Sequence, residues 1–329
     1  MLRQILVLLL ILVCNARAHA QAPVLRLATW NLEHLAAAAG HGCRPRDEAD
    51  YERLRHEAAR LSADVIALQE VENQAAVARV FDPDTYAIEI SQQPDRDLGT
   101  CRRHRSRKRT MQRTGFAINK ERLARLGLTY RRLPDFEAID LGSLRWATRI
   151  LVEPTDGGGE PIQLMSLHLK SGCSYGRLAG KIRRDQCRLL RRQLGVLEEW
   201  IDARAGADEP FVLLGDFNRQ LDQPRDDFWA DIDDGTLCAW TPDPVLGRRC
   251  RPGTGHPDAN ADLVLANAGK PFPYPFNPRY PYAIDHIVFG GAAADWAIGR
   301  SYRVIGYDGT PPSDHHPIRM ALRLPPGTG

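Results

Sequence analysis

The sequence predicts a single α/β domain in which two β-sheets pack face to face and helices cover their outer surfaces. Three observations indicate this class. Short apolar or alternating runs, typical of strands, recur along the chain, whereas few segments have helical periodicity. No repeat, low-complexity linker or clear break divides the sequence. Its 329 residues, 43% of them hydrophobic, are enough to bury one large core.

The predicted strands are spread over the whole chain. The first one, at 24–28, alternates, and the others lie at 64–70, 84–91, 115–120, 144–153, 161–170, 211–218, 282–289 and 316–324. Apolar residues at three- and four-residue spacing predict helices at 47–61 and 178–201. Residues 241–281 are rich in Pro, Gly and aromatic residues and are expected to form irregular surface loops.

The first twenty residues differ from the rest of the chain. Arg3 precedes nine consecutive apolar residues, "ILVLLLILV", and the segment ends in Ala18-His19-Ala20. A positive start, an apolar stretch too short to span a bilayer and a small-x-small site are typical of a secretory signal. A buried strand or an anchor helix is the alternative that this length disfavours. We therefore expect residues 1–20 to be a signal peptide, residues 21–329 to form one domain, and the protein to be secreted or periplasmic.

Export to an oxidising compartment changes how the seven cysteines are interpreted. Outside the predicted signal, an even number remains, which favours disulfides, and no CxxC pair indicates a zinc cluster. Proximity along the chain favours Cys173–Cys187 and Cys238–Cys250, which leaves Cys43 and Cys101 for each other. Six cysteines allow many other pairings, so the sequence leaves the connectivity open.

Positive charge is concentrated in two segments, although the formal net charge of the chain is only +3. Residues 102–109, "RRHRSRKR", contain six Arg or Lys side chains, and residues 177–192 contain a second basic cluster. A solvated face is the ordinary interpretation of such a run. Two runs in a nearly neutral chain favour a surface that binds a polyanion.

Polar residues lie within or just beyond many of the apolar runs. They are Asn31, Gln69, Glu70, His168, Asp216, Asn218, Asp285, His286, Asp314 and His315. Each one alone has a structural explanation, because Asp and Asn often end strands and buried histidines usually bond within the core. These ten residues lie at six successive strand ends, which indicates that loops from neighbouring strands meet at one functional edge.

The residue types at this edge indicate a chemistry. Carboxylate and amide oxygens are hard ligands suited to Mg²⁺, Mn²⁺ or Ca²⁺. Histidine transfers protons near neutral pH. No GxSxG nucleophile motif is present. Together these features predict metal-assisted hydrolysis of a phosphate ester.

The segments "TWNLE", "LQEVE", "SLHLKSG", "GDFN", "IDHIVF" and "SDHHP" occur in this order within residues 25–324. In these segments the chain resembles the endonuclease/exonuclease/phosphatase superfamily, which has a deoxyribonuclease-I-like fold. "GDFN" and "SDHHP" are the most specific of the six. The resemblance implies a four-layer α/β sandwich of two mixed β-sheets flanked by helices. It also implies a divalent-metal phosphodiesterase or phosphomonoesterase.

The resemblance also implies roles for individual residues. Glu70 corresponds to the principal ligand of the metal, with Asn31 and Asp314 close to the same ion, which is Mg²⁺ or Mn²⁺, with Ca²⁺ as an alternative. His315 corresponds to the general base that takes a proton from the attacking water. Asp285 corresponds to the carboxylate that orients its ring.

Four further residues correspond to groups around the substrate. Asp216 and Asn218 match the pair that holds water and phosphate oxygens. His168 matches a second histidine on the scissile phosphate or leaving oxygen, and Arg145 resembles a phosphate-binding arginine.

One position departs from the pattern of deoxyribonuclease-like members. Their second histidine pairs with an acid, whereas the register here puts Gln112 in that place. An amide cannot raise the pKa of His168 as a carboxylate does, so we expect a neutral hydrogen-bond donor. The neighbouring His286 and His316 are expected to pack locally, outside the site.

Fold does not choose the substrate within this superfamily. The predicted signal, the second histidine and segment 102–109 favour a nuclease acting on DNA or RNA, as a monomer. The aromatic-proline stretch 271–282 leaves a sphingomyelinase-like lipid phosphodiesterase open, although a packed loop explains it better. An inositol-phosphate phosphatase is a further alternative. A catalytically silent binding module is disfavoured because the expected ligands are present.

Overall fold

Two six-stranded β-sheets form the centre of the computed structural model. The structure describes residues 22–102, 104–142, 144–178, 182–233, 239–243, 247–251, 263–274 and 281–325, without the side chains of 239–251. The predicted signal peptide, residues 1–20, therefore lies outside the described residues. Among the described ranges, no helix has both the length and the apolar character of a membrane span.

The first sheet is mixed. In spatial order it contains β13 (Arg303–Val304), β14 (Ile318–Arg323), β1 (Val24–Leu35), β2 (Val65–Val71), β4 (Arg113–Asn119) and β3 (Tyr86–Ile90). Strands β1 and β2 are parallel, and the other neighbours are antiparallel. The carboxyl ends of β1 and β2 therefore lie at the same edge.

The second sheet repeats this arrangement. In spatial order it contains β11 (Val264–Leu265), β12 (Asp285–Gly290), β8 (Phe211–Asp216), β7 (Ile162–His168), β6 (Ala147–Pro154) and β5 (Leu128–Phe136). Its parallel pair is β7 and β8. Strands β9 (Ala239–Asp243) and β10 (Gly247–Arg251) form a separate two-stranded sheet.

Helices lie outside the two sheets. They are α1 (Glu48–Leu61), α2 (Gln74–Ala78), α3 (Lys120–Arg125), α4 (Asp185–Ala205), α5 (Asp227–Ile232) and α6 (Ala293–Trp296). Helix α1 begins with a capping box, in which Asp47 and Asp50 each accept the other's backbone N–H. Its buried side chains include Tyr51 and Leu54, which belong to the predicted apolar stripe.

The side chains of each strand alternate between two buried layers. In β1, Leu25 and Leu27 belong to the core between the sheets, whereas Ala28 and Trp30 belong to the core beneath α1. A third core packs the second sheet against α4 and α5. Because strands are buried on both faces, their sequences contain short apolar runs instead of alternating ones. The layers are helix, sheet, sheet and helix, which confirms the predicted four-layer sandwich.

Polar side chains replace apolar ones between the sheets near one edge. Thr29 donates to Gln69 at 3.2 Å, and Gln69 donates to Ser166 of the second sheet at 3.1 Å. Thr114 and Thr148 bond across the same interface at 2.9 Å. Buried polar groups need partners, so this layer holds the two sheets in one relative position.

Several elements differ from the sequence-based expectation, including the short helices α2, α3, α5 and α6 and strand β13, which were not predicted. Strand β5 was not predicted, because its charged residues hide the alternation and its burial is only partial. The helix predicted at 178–201 begins at Asp185 instead, since residues 182–184 are not helical. The region 241–281, expected to be irregular, includes strands β10 and β11 and part of β9.

Two of the predicted disulfides are present. Cys43 bonds Cys101, and Cys173 bonds Cys187. The predicted Cys238–Cys250 bond lies outside the described side chains. The Cys43–Cys101 bond ties the loop after β1 to segment 99–109.

Gly215 determines how closely β8 approaches β7 directly before Asp216. Its φ is +152°, and a Cβ at this position would lie 2.0 Å from the carbonyl oxygen of Leu167. We expect Gly215→Ala to lower the free energy of unfolding by about 3 kcal/mol or more, because backbone on both strands must move. Gly157→Ala is the matched control, since its φ is +69° but nothing lies within 4 Å, and it should cost about 1 kcal/mol. Urea unfolding of both variants measures the difference, and equal losses would contradict the steric explanation.

Candidate active site

The polar ends of the central strands meet at one edge of the sandwich. In the second sheet Asp216 is paired in register with both His168 and Asp285, so these three residues are neighbours across β7, β8 and β12. In the first sheet Asn31 is paired with Gln69. The sequence-predicted residues of distant segments are thus brought together by strand register.

His315 bonds a carboxylate of the other sheet. Its Nδ1 lies 2.7 Å from Asp285 Oδ2, and its Nε2 lies 3.8 Å from both Asp216 Oδ2 and Asp314 Oδ1. Burial alone would lower the pKa of His315, but the charges of Asp285 and Asp216 outweigh it and hold the pKa well above 6.5. Asp285 therefore orients the ring, and the surrounding carboxylates favour its protonated form.

Asp216 links the two sheets. It accepts hydrogen bonds from Asn31 Nδ2 at 3.0 Å and from the backbone N–H of Asn218 at 2.8 Å. Asn218 has a left-handed φ of +52° and donates its amide to Leu169 O. Burial raises the pKa of Asp216 to about 7, against the lowering effect of His315. The ionised form of Asp216 therefore depends on nearby positive charge.

His168 lies between the two carboxylates at the centre of the edge. Its Nε2 is 3.4 Å from Asp216 Oδ2 and 3.7 Å from Glu70 Oε1. Burial, together with the charge of Arg145, lowers the pKa of His168 well below 6.5. The ring is therefore neutral at pH 7.

Glu70 reaches the site because β2 contains a bulge. Strict alternation would turn Glu70 toward α1 with Ile66 and Leu68, but the register shifts after Leu68 and Val71 takes that buried position instead. Glu70 has a left-handed φ of +60°. A non-glycine residue in this conformation stores about 1 kcal/mol of strain, as functional residues often do.

The Glu70 carboxylate is held by donors from two segments. Its Oε2 accepts the backbone N–H of His34 at 3.0 Å and the side-chain amide of Gln112 at 2.7 Å. Burial alone would raise the pKa of Glu70, but His168 and His34, which are protonated in the acid range, and Arg145 outweigh it and lower the pKa to about 2. Glu70 is therefore ionised at any pH near neutrality.

Carboxylates line a cavity of about 270 Å³ beside these histidines, which we call the acidic cup. Its acidic residues are Glu33, Glu70 and Asp314. Three hard oxygen donors that face one small space fit Mg²⁺, Mn²⁺ or Ca²⁺. Asn31 is buried next to the cup, and its Oδ1 accepts the backbone N–H of Glu33 at 3.0 Å.

Ligand atoms of Asp216, Asp285 and His315 also lie within 4.8 Å of one another. In this group, however, His315 Nδ1 is already bonded to Asp285. The residues that could hold a metal are therefore the carboxylates of the acidic cup and this second group, in which His315 Nε2 remains available.

Gln112 contacts different groups from those that the sequence led us to expect. It donates to Glu70 and accepts guanidinium N–H groups from Arg109 at 2.8 Å and Arg145 at 3.1 Å. Gln112 makes no hydrogen bond to His168, and His168 Nδ1 has no hydrogen-bond partner among the described residues. Arg145 thus lies beside the Glu70 carboxylate, in the loop before β6.

Sequence analysis missed several residues of the site. Glu33 and His34 have left-handed φ values of +46° and +54°, which turn the chain around the cup after Asn31. Arg46 is 3% exposed and donates to the carbonyl groups of Leu32 at 2.8 Å and Pro312 at 3.0 Å. It therefore fastens the loop after β1 to the loop that contains Asp314. Glu33 could have been predicted from the sequence, because it lies two residues after Asn31 at the end of the first strand. Nothing near Arg46 in the sequence indicated its role.

Two further histidines lie outside the site, as expected. The ring of His286 is buried, with Nδ1 at 3.1 Å from Asn267 Oδ1 and Nε2 at 2.8 Å from Arg219 O. The ring of His316 stacks between Tyr274 and Tyr307, with centroids 4.0 and 4.5 Å away.

The fold and this arrangement of side chains define a class. Residues 28–315 match the model of the Endonuclease/Exonuclease/phosphatase family, and the chain belongs to this family. The sequence matches none of the curated proteins with which it was compared.

Solved structures share the fold. The human Nocturnin catalytic domain with a bound sulfate anion has a TM-score of 0.52 and 15% identity, over 92% of this chain and 96% of that one. Truncated TDP2 from Caenorhabditis elegans has a TM-score of 0.52 and 14% identity, over 92% and 98%. The AP endonuclease LMAP from Leishmania major has a TM-score of 0.52 and 16% identity, over 92% and 89%.

A divalent cation should stabilise the fold through the acidic cup. At a concentration one hundred times its Kd, a bound ion adds about 2.7 kcal/mol to the free energy of unfolding. We expect Mg²⁺, Mn²⁺ or Ca²⁺ to raise the Tm of the wild type and Glu70→Gln to lose most of this rise. Glu52→Gln, at an exposed position on α1, is the control that should keep it. Thermal unfolding with each cation is the measurement. An equal rise in the Tm of the Glu70 variant would show that the cation does not bind at the acidic cup.

Proposed function

We propose that the protein is a secreted, divalent-metal-dependent phosphodiesterase that hydrolyses the backbone of nucleic acids. The observation that carries this proposal is the contact between two groups of residues. His315 is bonded through Nδ1 to the buried carboxylate of Asp285. Its Nε2 lies 3.8 Å from Oδ1 of Asp314, which lines the acidic cup. Base and metal ligands are thus adjacent, as hydrolysis by activated water requires.

His315 is the proposed general base. Its Nε2 points between Asp216 and Asp314, so a water held there has an acceptor for its proton. Asp285 fixes the tautomer of the ring and stabilises the imidazolium that forms. Asp216, held by Asn31 and Asn218, is placed to orient the water.

Glu70 and Asp314 are the proposed metal ligands, with Asn31 beneath them and Glu33 as an additional carboxylate. Bound there, the cation would supply positive charge against the charge that develops on the phosphate. It would also offset the carboxylates that surround His315. The donor set fits Mg²⁺ or Mn²⁺, with Ca²⁺ as an alternative.

Three side chains are proposed to bind the phosphate itself. His168, neutral at pH 7, donates a hydrogen bond to a phosphate oxygen. Asn218 offers a second donor, and Arg145 offers a fixed charge beside the cup. Donors that are held in place before the reaction stabilise the transition state because they need no reorganisation.

Basic residues beside the site favour a nucleic acid as substrate. A cleft of about 990 Å³ is lined by five basic residues and by two acidic ones, Glu72 and Asp95. The basic residues are Arg96, Arg107, Lys108, Arg109 and Arg113, of which 107–109 belong to segment 99–109. Arg107 donates to Gly40 O, so the segment rests on the loop after β1. A polyanion gains affinity from such a surface by counterion release. The AP endonuclease of Leishmania major shares the fold, and the two disulfides fit an exported protein.

A lipid substrate has weaker support. Phe272 packs against the core between the sheets, and Tyr274 stacks on His316 although it is 45% exposed. Residues 275–280 of the aromatic-proline stretch lie outside the described residues. The described part of the stretch therefore fits a packed loop better than a membrane-binding one.

A substrate panel tests the proposal. Purified protein is assayed with Mg²⁺, Mn²⁺ and Ca²⁺ on supercoiled plasmid, single-stranded DNA, RNA, sphingomyelin and inositol phosphates. We expect hydrolysis of nucleic acid, with kcat lowered by about 10²- to 10⁴-fold in His315→Ala because the proton acceptor is lost. His56→Ala removes an exposed histidine on α1 and is the matched control.

Circular dichroism and Tm show whether the His315 variant remains folded. Full activity in a folded His315→Ala protein would contradict the proposed role of His315 as general base. Preferential hydrolysis of sphingomyelin or inositol phosphates would support the proposed active site but contradict the proposed nucleic-acid substrate.

Salt dependence tests the role of the basic segment. We expect the affinity for single-stranded DNA to fall steeply with salt, because each phosphate contact adds roughly −0.7 to the slope of log K against log salt. The double variant Arg105→Gln/Lys108→Gln should flatten this slope, whereas Lys120→Gln, on α3, should not. Fluorescence anisotropy between low and physiological salt measures the affinity. An unchanged slope in the double variant would show that Arg105 and Lys108 do not contact the DNA.

A further inference from the structure

A second small cavity adjoins the acidic cup and has the opposite charge. Its volume is about 270 Å³, and its lining contains Arg96, Arg109, Arg145 and Lys170 but no carboxylate among the described residues. Leu98 and Leu189 contribute apolar surface on its wall. We call this cavity the basic pocket.

Three of these cations have only neutral hydrogen-bond partners in the described part of the chain. Arg109 and Arg145 both donate to one atom, Gln112 Oε1, at 2.8 and 3.1 Å. Lys170 Nζ donates to Ser171 O at 2.8 Å. Arg96, by contrast, donates to Leu144 O and lies 3.8 Å from Asp140. Among the described residues, no hydrogen bond or ion pair joins these three cations to a carboxylate, and only Arg145 interacts electrostatically with Glu70 and Asp216 nearby.

These cations are also close enough to affect one another. Burial, and then the charges of Arg145, Arg102 and Arg109, lower the pKa of Lys170. Holding like charges together is unfavourable unless an anion binds among them. The pocket is therefore complementary to a phosphate group.

The backbone around the pocket holds the cations in place before any ligand arrives. The N–H of Lys170 donates to Gln193 Oε1 at 2.8 Å, and Gln193 is fully buried against Ile139 O. Arg109 closes a hairpin by donating its N–H to Gly99 O at 2.9 Å, and the Cys43–Cys101 bond fastens that hairpin. Binding then requires little ordering, which favours affinity.

Gln112 joins the basic pocket to the acidic cup. Its amide nitrogen donates to Glu70 at 2.7 Å, while its oxygen accepts from Arg109 and Arg145. Arg109 lines both cavities. The two cavities are therefore adjacent, and Arg109 and Gln112 connect them.

We propose that the basic pocket binds a second phosphate group of the substrate while the scissile phosphate lies at the acidic cup. This rests on the proposed function, since it assumes a substrate with consecutive phosphates. The apolar wall of Leu98 and Leu189 contacts the sugar attached to that phosphate. The second phosphate is either an internal diester of the strand or a terminal monoester, and both offer the same oxygens to the cations.

Equilibrium binding in EDTA tests the pocket without hydrolysis. The ligands are thymidine oligonucleotides measured by calorimetry: TpT with one phosphate, TpTpT with a second internal diester, and pTpT with a terminal monoester. In the wild type we expect the second phosphate to tighten binding at least tenfold. In Lys170→Gln this advantage should fall about tenfold, and Lys170→Arg should retain most of it. Lys120→Gln is the charge-matched control, because Lys120 follows the end of β4 whereas Gln112 and the basic pocket lie at its start.

Each outcome decides one point. A gain for TpTpT alone identifies an internal diester, and a gain for pTpT alone identifies a terminal monoester. Equal affinity for all three ligands in the wild type would contradict the proposal that the basic pocket binds a second phosphate. An unchanged gain in affinity from the second phosphate in a folded Lys170→Gln protein would contradict it too. The proposed function fails separately, through the absence of nucleic-acid hydrolysis with added metal, which these binding ratios do not measure.

Discussion

The site depends on the relative position of the two β-sheets, because neither sheet contains a complete set of groups. Asn31 and Glu70 belong to the first sheet, whereas His168, Asp216 and Asp285 belong to the second. The bond of 3.0 Å from Asn31 to Asp216 and the contact of 2.7 Å between His315 and Asp285 cross the gap. The apolar core between the sheets supplies the binding energy, and the Thr29, Gln69 and Ser166 layer fixes the alignment.

Burial concentrates charge at this edge and separates the properties of neighbouring groups. The pKa of Glu70 is lowered to about 2 because surrounding cations outweigh its burial, whereas burial raises the pKa of Asp216 to about 7. The two histidines differ in the same way, since Asp285 raises the pKa of His315 while burial and Arg145 lower that of His168. A permanent anion, a histidine with a raised pKa and a neutral donor thus arise from common side chains.

Local backbone strain directs several of these groups. Glu33, His34, Glu70 and Asn218 all have left-handed φ values, and none is a glycine. Each lies at a strand end or bulge beside the acidic cup or Asp216. Such conformations persist only where the surroundings hold them. Arg46 and the Cys43–Cys101 bond, which fasten the loop after β1, provide part of this support.

The sequence by itself determined the class of fold and most of the central residues. Apolar strand runs and the polar residues that follow them are local properties, so Glu70, His168, Asp216 and His315 were visible from patterning and from the family resemblance. Strand β5 and the start of α4 were missed or misplaced, because charged residues and partial burial obscure periodicity.

Only the tertiary structure decided which of these residues touch one another. It assigned Gln112 to Glu70 and the two arginines instead of to His168, and it added Glu33, His34 and Arg46. The opposite charges of two adjacent cavities were equally invisible along the chain. The physical reason is that contacts between segments up to 282 residues apart depend on sheet packing and backbone bulges, which no local pattern encodes.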